Sequence, residues 1–107
     1  NAGYFRSRAL ALVASMSPPP RWFLLDAEAV TDVDSTALET LEEVRQALAA
    51  RGVTLAIARA KSGPRGQMER AGLVAAIGAS HFYPSIHTAV AAYEAAPSSA
   101  SGAGGDL

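Results

Sequence analysis

The spacing of hydrophobic and polar residues divides the chain into short helices and strands. Residues 4–15 repeat apolar positions at helical spacing, and one face of this predicted helix carries Phe5, Ala9, Leu12, Val13 and Met16. The Ser17–Pro20 segment then breaks the helix. The next apolar run covers Trp22–Leu25 and is followed directly by Asp26. This run is too short for a helix and predicts a buried strand over 22–26.

The clearest helix lies at 36–50. Its apolar stripe consists of Leu38, Leu41, Val44 and Leu48. Gly52 follows at the position where glycine commonly ends a helix, and the apolar run 53–58 predicts a second strand. The order strand, helix, strand predicts one βαβ unit whose two strands run parallel.

The remaining segments predict shorter elements. A Gly/Pro loop at 62–66 leads into a helix at about 65–71, which ends at Gly72. Phe82–Tyr83 predicts a minimal third strand, and the helix predicted at 85–95 turns Ile86, Val90 and Tyr93 inward. We therefore predict one α/β domain at 1–96 with a small sheet and about four helices, followed by a disordered tail at 97–107.

Composition excludes several classes of function. The chain has 107 residues, no cysteine, a net charge of -1, and two histidines, His81 and His87. Disulfides and thiol chemistry are excluded, and no metal site is predicted. The balanced charge gives no indication of nucleic-acid binding. No apolar run approaches the ~20 residues that span a bilayer, so membrane insertion is not expected. Because the chain begins with Asn1, we expect a segment of a longer chain with one or more strands upstream.

Charged residues are unevenly distributed along the chain. Residues 26–43 contain seven acidic residues and no basic one, whereas residues 45–70 contain six basic residues and one acidic residue. The simplest interpretation is a pair of solvated faces that partly neutralise each other.

The segment 31–36, with the sequence TDVDST, has three interpretations. The first is the DxDxT nucleophile motif of haloacid-dehalogenase phosphatases, with Asp32 as the attacking group and Asp34 as acid and base. That motif directly follows a strand, but here the apolar run ends at Leu25, seven residues earlier. The chain also lacks the downstream acidic pair that would bind Mg²⁺, so we predict no enzyme.

The second interpretation is a helix start, and the third is a phosphorylation site. Thr36 and Glu39 have the spacing of a capping box, and two aspartates lie close to the positive end of the helix dipole. Ser35 would then lie one residue outside the helix and be exposed. The helix dipole would favour a phosphate on Ser35, whereas Asp32 and Asp34 would oppose it.

Several segments together resemble the STAS domain. Three of them are Leu24–Asp26, Val30–Thr36 and Arg51–Ala56. The family includes bacterial anti-sigma-factor antagonists and the C-terminal domains of SulP-type anion transporters. The opening Asn1–Arg6 resembles the FANA segment of the transporter branch, and further similarity to that branch lies at Ala58–Arg65, Arg70–Leu73 and Phe82–Ser85.

The resemblance implies a STAS fold with a small mixed sheet. It also implies a regulatory and interaction domain of a sulfate or related anion transporter, at the cytoplasmic face of the cell membrane. The partner would be the transmembrane domain of the same chain, and a homodimer is a further option. The alternative is a stand-alone antagonist with Ser35 as a phosphoswitch. That branch usually has glycine after the serine or threonine that is phosphorylated, whereas here Thr36 and Ala37 follow.

A ligand site is predicted at one edge of the sheet. Ligands of open α/β sheets favour the carboxyl ends of the strands, where the loops 27–35 and 59–66 would meet. The candidate residues for binding an anion there are Asp34, Ser35, Lys61, Ser62, Gly63 and Arg65. The resemblance implies GTP or ATP as a regulatory ligand. In the alternative without a ligand, Lys61 and Arg65 pair with Asp32 and Asp34.

Overall fold

The computed structural model describes residues 2–97. A disordered tail was predicted at 97–107, and all of it except Pro97 lies outside the described residues. The helices are α1 (Ala2–Ala14), α2 (Ser35–Ala50), α3 (Ser62–Arg70), α4 (Leu73–Ile77) and α5 (Ile86–Ala95). The strands are β1 (Trp22–Asp26), β2 (Thr54–Ala58) and β3 (Phe82–Tyr83), and a 3₁₀ turn at Ala79–His81 precedes β3.

The sheet has the order β1-β2-β3, with all three described strands parallel. Trp22 lies opposite Thr54, and Ile57 lies opposite Phe82. The predicted βαβ unit is confirmed, with α2 as its crossover helix. The predicted α/β class is also confirmed, with five α-helices among residues 2–97 where the sequence indicated about four.

The main core forms where α2 packs on β2. Leu41, Val44 and Leu48 of the predicted stripe are buried, and Leu48 has no exposed surface. They join one apolar cluster with Leu55 and Ile57 of β2. These two residues share one face of the sheet because side chains alternate along a strand. The predicted helical stripe therefore has its expected place in the core.

Two predictions about buried faces were partly wrong at the N-terminal end. In α1, Ala9 and Val13 are buried, but Leu12 is 42% exposed and Met16 is 52% exposed. The reason is that α1 packs mainly on α2, which covers only a narrow stripe of it. Strand β1 is half-buried rather than buried, because it pairs with β2 on one side and forms an edge of the described sheet.

Helix α3 begins earlier than predicted because its Gly/Pro segment forms the first turn. Lys61 is the N-cap residue and Pro64 lies in the first turn, where a missing backbone N–H leaves no helical hydrogen bond unmade. Gly72, with φ of +82°, separates α3 from α4, which the sequence did not predict. Glycine adopts this left-handed conformation without the penalty that a Cβ atom brings.

The prediction for the inward face of α5 was wrong. Ala89 is the buried residue of this helix, Tyr93 is half-buried, and Ile86 and Val90 are 36% and 43% exposed. Helix α5 contacts all three strands. By strand alternation, Ala56 points away from the face that carries Leu55 and Ile57. Ala89 on α5 and Ala56 on the sheet are both small, so the helix can approach the sheet closely through Ala89. In this orientation Ile86 and Val90 point outward.

Rings at the start of β1 and around β3 extend this packing. The Trp22 ring stacks on Tyr83 at a centroid distance of 6.0 Å and meets Tyr93 of α5 edge-on at 5.4 Å. The Arg21 guanidinium lies 4.2 Å from the centroid of the Tyr93 ring and donates to the Pro97 carbonyl. These contacts hold the end of α5 against β1. Within the described part of the chain, no helix has the length and apolar character needed to cross a membrane.

Candidate functional site

The loops after β1 and β2 meet at the carboxyl edge of the sheet, as predicted for parallel strands. The backbone pairing continues one residue beyond β1, since the Ala27 N–H donates to the Ala58 carbonyl at 2.8 Å. The β1–α2 loop covers residues 27–34, and the β2–α3 loop covers residues 59–61. These two loops and the helix starts that follow them form the candidate site.

An ion pair joins the two strand ends. The Arg59 guanidinium donates to both carboxylate oxygens of Asp26, at 3.0 and 2.6 Å, and the Arg59 N–H donates to the Tyr83 carbonyl. Arg59 has φ of +63°, an uncommon conformation for a residue with a side chain. Nearby, the Lys61 ammonium donates to the Glu28 carbonyl. Arg59 therefore bonds the last residue of β1, and Lys61 bonds the loop that follows it.

Two ion pairs predict how stability depends on pH. They are Asp26 with Arg59 and, within α2, Glu42 with Arg45. Hydrogen bonds from Arg59, and from the Glu28 N–H, hold the pKa of Asp26 below its ordinary value, and Arg45 does the same for the pKa of Glu42. A carboxyl with a lowered folded-state pKa stabilises the fold above its unfolded pKa, and this stabilisation is lost as the pH falls through the folded pKa. We expect the free energy of unfolding to decrease below about pH 4.

Urea denaturation at several pH values measures this decrease. The double variant Asp26→Asn, Glu42→Gln should show a smaller decrease between about pH 5 and pH 3 than the unmodified chain. Equal decreases in the two proteins would contradict the assignment to these two carboxyls.

The cap of α2 differs from the prediction. Asp34 is the N-cap residue, and its carboxylate accepts from the Ala37 N–H at 2.8 Å, so that Ser35 is the first helical residue. The predicted capping box of Thr36 and Glu39 was wrong. The reason is a contact distant in sequence. Gln67 of α3 accepts from the Val33 N–H and donates to Asp32, both at 2.9 Å, and thereby fixes the loop just before Asp34.

Substitution at the cap distinguishes the two assignments. Asp34→Ala should lower the free energy of unfolding by about 1 kcal/mol, because the Ala37 N–H loses its acceptor. Asp34→Asn should change it little, since asparagine also caps helices. Thr36→Ala should stay within about 0.5 kcal/mol of the unmodified chain. Chemical denaturation measures all three, and a larger effect for Thr36→Ala than for Asp34→Ala would refute the observed cap.

The predicted pairing of Lys61 and Arg65 with Asp32 and Asp34 was also wrong. Arg65 lies 4.7 Å from the centroid of the Phe82 ring, and its Nε is 3.9 Å from a Glu69 carboxylate oxygen. Asp32 bonds Gln67 instead of a base. The end of β1 and the β1–α2 loop are therefore held by Arg59, Lys61 and Gln67.

An apolar groove of about 540 Å³ opens beside the start of α2. Its walls come from the start of α1, the end of β1, the β1–α2 loop, α2, β2 and α3, and include Phe5, Leu25, Val30, Leu41 and Met68. Asp34 and Thr36 line the groove, whereas Lys61, Ser62, Gly63 and Arg65 do not. Ser35 and Glu39 are exposed and also lie outside the lining. The structure therefore separates the predicted site residues into two groups.

Among residues 2–97, no cluster of three or more side chains suitable for a metal ion was found.

Comparison with known proteins identifies the family. A family model described as the STAS domain matches residues 1–89. The chain belongs to the STAS domain family. The probable sulfate transporter Rv1739c of Mycobacterium tuberculosis is 40% identical over 93 residues, which are 87% of this chain and 17% of that transporter. The STAS chain therefore spans about a sixth of the length of this relative.

Solved structures support the same assignment. The STAS domain of a SulP transporter from Vibrio cholerae is 28% identical, with a TM-score of 0.74 over 87% of this chain and 70% of that one. The murine anion transporter Slc26a9 in its inward-facing state matches 90% of this chain with 16% of its own, at a TM-score of 0.81 and 22% identity. The predicted STAS fold and its resemblance to the SulP branch are confirmed. The domain is homologous to STAS domains of sulfate and anion transporters.

Sequence reasoning missed three features of this site. Asp26 and Arg59 had a detectable signal, since opposite charges at the ends of adjacent parallel strands are expected to meet. Gln67 had no such signal, because its role depends on how α3 packs beside the β1–α2 loop. The groove combines residues from four separate segments of the chain, and no local pattern in any one of them indicates a cavity.

Proposed function

We propose that this STAS domain is a cytoplasmic regulatory and interaction domain of a SulP-type transporter for sulfate or a related anion. It acts by binding the membrane domain and not by catalysis. The observation that carries this proposal is the 40% identity over 93 residues to a probable sulfate transporter, of which the match covers 17%. The part of that relative outside the match has the length needed for a membrane domain.

Two measurements test this proposal. The first is the coding sequence upstream of Asn1, which should encode about ten or more apolar segments of membrane-spanning length. The second is uptake of labelled sulfate by the full-length product in cells that lack their own sulfate uptake. A Met codon close to Asn1 with no such segments, or no anion uptake in an otherwise competent assay, would refute the proposal.

The uptake assay also carries a prediction about this domain. Leu48→Asp places a carboxylate in the apolar core, where Leu48 has no exposed surface, and should unfold the domain. We expect this variant to lower sulfate uptake at least tenfold at equal amounts in the membrane. Glu94→Gln, on the exposed side of α5, should retain uptake. Undiminished uptake by the Leu48→Asp protein would show that the transporter does not need this domain.

Ser35 supports a second candidate, a phosphoswitch. The residue is exposed at the first position of α2, where the positive end of the helix dipole favours a phosphate. Asp34, already bonded to the helix start, opposes a second negative group there. Mass spectrometry of the protein from its own cells tests for the phosphate. A phosphorylated Ser35 in a chain without membrane segments would favour the stand-alone antagonist over the transporter.

We also propose that GTP or ATP binds at the carboxyl edge of the sheet, at Asp34, Ser35, Lys61, Ser62, Gly63 and Arg65. Its support is the start of α3, where Ser62 and Gly63 are exposed and Lys61 lies at the N-cap. Amide-shift titration with GTP, ATP and sulfate tests it. Shifts at 32–36 and 61–66 would support binding, and their absence up to about 1 mM ligand would refute it.

A further inference from the structure

The apolar groove beside α2 has a charged rim of one sign. Among the described residues that line it, Asp32 and Asp34 are the charged ones, and Thr36 and Thr40 are the uncharged polar ones. The remaining lining residues are apolar. An apolar cleft with a few polar groups at its mouth is the usual form of a binding site, and a volume of about 540 Å³ lies within the ordinary range for such sites.

The basic residues near this edge do not neutralise the rim. Arg59 bonds the Asp26 carboxylate, and Lys61 bonds the Glu28 carbonyl. Arg6 of α1 is 2.7 Å from Glu43. Nine of the fifteen lining residues come from the stretch 26–43, which contains seven acidic residues and no basic one. A partner that fits the groove should therefore combine apolar side chains with positive charge.

The segment that begins with α1 exposes two further apolar side chains. Leu12 and Met16 of this region are exposed, and α1 packs mainly on α2. Cytoplasmic loops of membrane proteins carry an excess of Lys and Arg, and such loops are the polypeptides closest to a domain joined to a transporter.

We propose that the groove binds a basic amphipathic segment from a cytoplasmic loop of the membrane domain to which this STAS domain is joined. This inference rests on the proposed function. An apolar side chain of the segment occupies the groove between α2 and α3, and a Lys or Arg lies beside Asp32 and Asp34. The groove is thus the face through which the domain contacts the transporter.

A peptide titration tests the chemistry directly. The probe is an amphipathic peptide of about 15 residues built from Leu and Lys, and its control replaces every Lys by Glu. Amide shifts of the isotope-labelled chain should change at groove residues such as Val33 and Thr40 with the Lys peptide and not with the Glu peptide. The double variant Asp32→Asn, Asp34→Asn should weaken binding about tenfold, because it removes two rim charges. Asparagine retains the helix cap and the bond to Gln67.

Two further variants separate charge from shape. Ala37→Leu fills part of the groove and leaves both carboxylates, so it should weaken binding of the Lys peptide at least tenfold. The matched control Glu69→Gln, Glu94→Gln removes two exposed carboxylates outside the lining and should leave the affinity within about twofold. Equal weakening by the control pair would show attraction to net charge and would overturn the proposal.

Other occupants are also outcomes of this test. If dodecylammonium below its micellar concentration shifts the groove amides and the Lys peptide does not, the groove is a small-molecule site and the proposal fails. In the full-length protein, a photoreactive residue at Thr40 should cross-link to a basic loop of the same chain. A cross-link to a second copy or to another protein would overturn the proposal. If the Lys peptide does not bind but the full-length protein takes up sulfate normally, only the groove assignment is refuted. If the full-length protein takes up no sulfate, the proposed function is refuted.

Discussion

Leu48→Ala is expected to lower the free energy of unfolding by about 3 kcal/mol. Leu48 has no exposed surface and lies in the apolar cluster with Val44, Leu55 and Ile57. Truncation removes buried methyl groups from this cluster and leaves a cavity, because α2 and β2 are held by neighbouring contacts and close only partly around it. Urea denaturation followed by circular dichroism measures the change.

Leu12→Ala is the matched control, because it removes the same atoms from a helix in the same protein. Leu12 is 42% exposed on α1, so its truncation removes little buried apolar surface and leaves no enclosed cavity. We expect the control to stay within about 1 kcal/mol of the unmodified chain. Similar losses for the two variants would mean that α1 covers more of Leu12 than the structure shows.

The success of the sequence prediction at Leu48 has a simple physical cause. In α2, apolar residues recur on one side and charged residues occupy the other, so only one orientation buries the stripe. β2 is flanked by strands on both sides and covered on both faces, so its continuous apolar run identified it. Local pattern and tertiary packing agree in these two elements, which define the βαβ unit.

The candidate site was less predictable because several local choices had equal support. Asp34 and Thr36 are both good N-cap residues, and the sequence around each of them allows a helix to begin. The contact that favours Asp34 as the N-cap comes from Gln67, which bonds Val33 and Asp32 and lies more than 30 positions away in sequence. Local sequence also did not determine the partner of Lys61, whose ammonium donates to the Glu28 backbone carbonyl and not to a predicted carboxylate.

Helix α5 shows the limit of periodicity in an alanine-rich segment. Its sequence offers two overlapping faces, the predicted one with Ile86, Val90 and Tyr93 and another with Ala89 and Tyr93. Size favoured the first face, but the sheet presents Ala56 and Ala58, which have no exposed surface. Close approach of a helix through a small residue buries more backbone and neighbouring surface than a distant approach through a large one. The shape of the sheet therefore decided the orientation.

Ala89→Leu tests this account of α5 and is expected to lower the free energy of unfolding by about 2 kcal/mol. Ala89 is 1% exposed, so a larger side chain must displace the helix or adopt a strained rotamer. The displacement should also change the emission of Trp22, the one tryptophan of the chain, because its ring lies 5.4 Å from that of Tyr93 on α5. Urea denaturation and the fluorescence spectrum of the folded protein measure the two effects.

Ala91→Leu supplies the control, since Ala91 is exposed on the same helix and the change in helix propensity is the same. We expect this variant to stay within about 0.5 kcal/mol of the unmodified chain and to keep its Trp22 emission. If Ala89→Leu were equally silent, α5 would not be in close contact with the sheet. If Ala91→Leu were the more harmful, α5 would bury the face opposite Ala89. The expected difference between the two variants follows only if Ala89 sets the distance between helix and sheet.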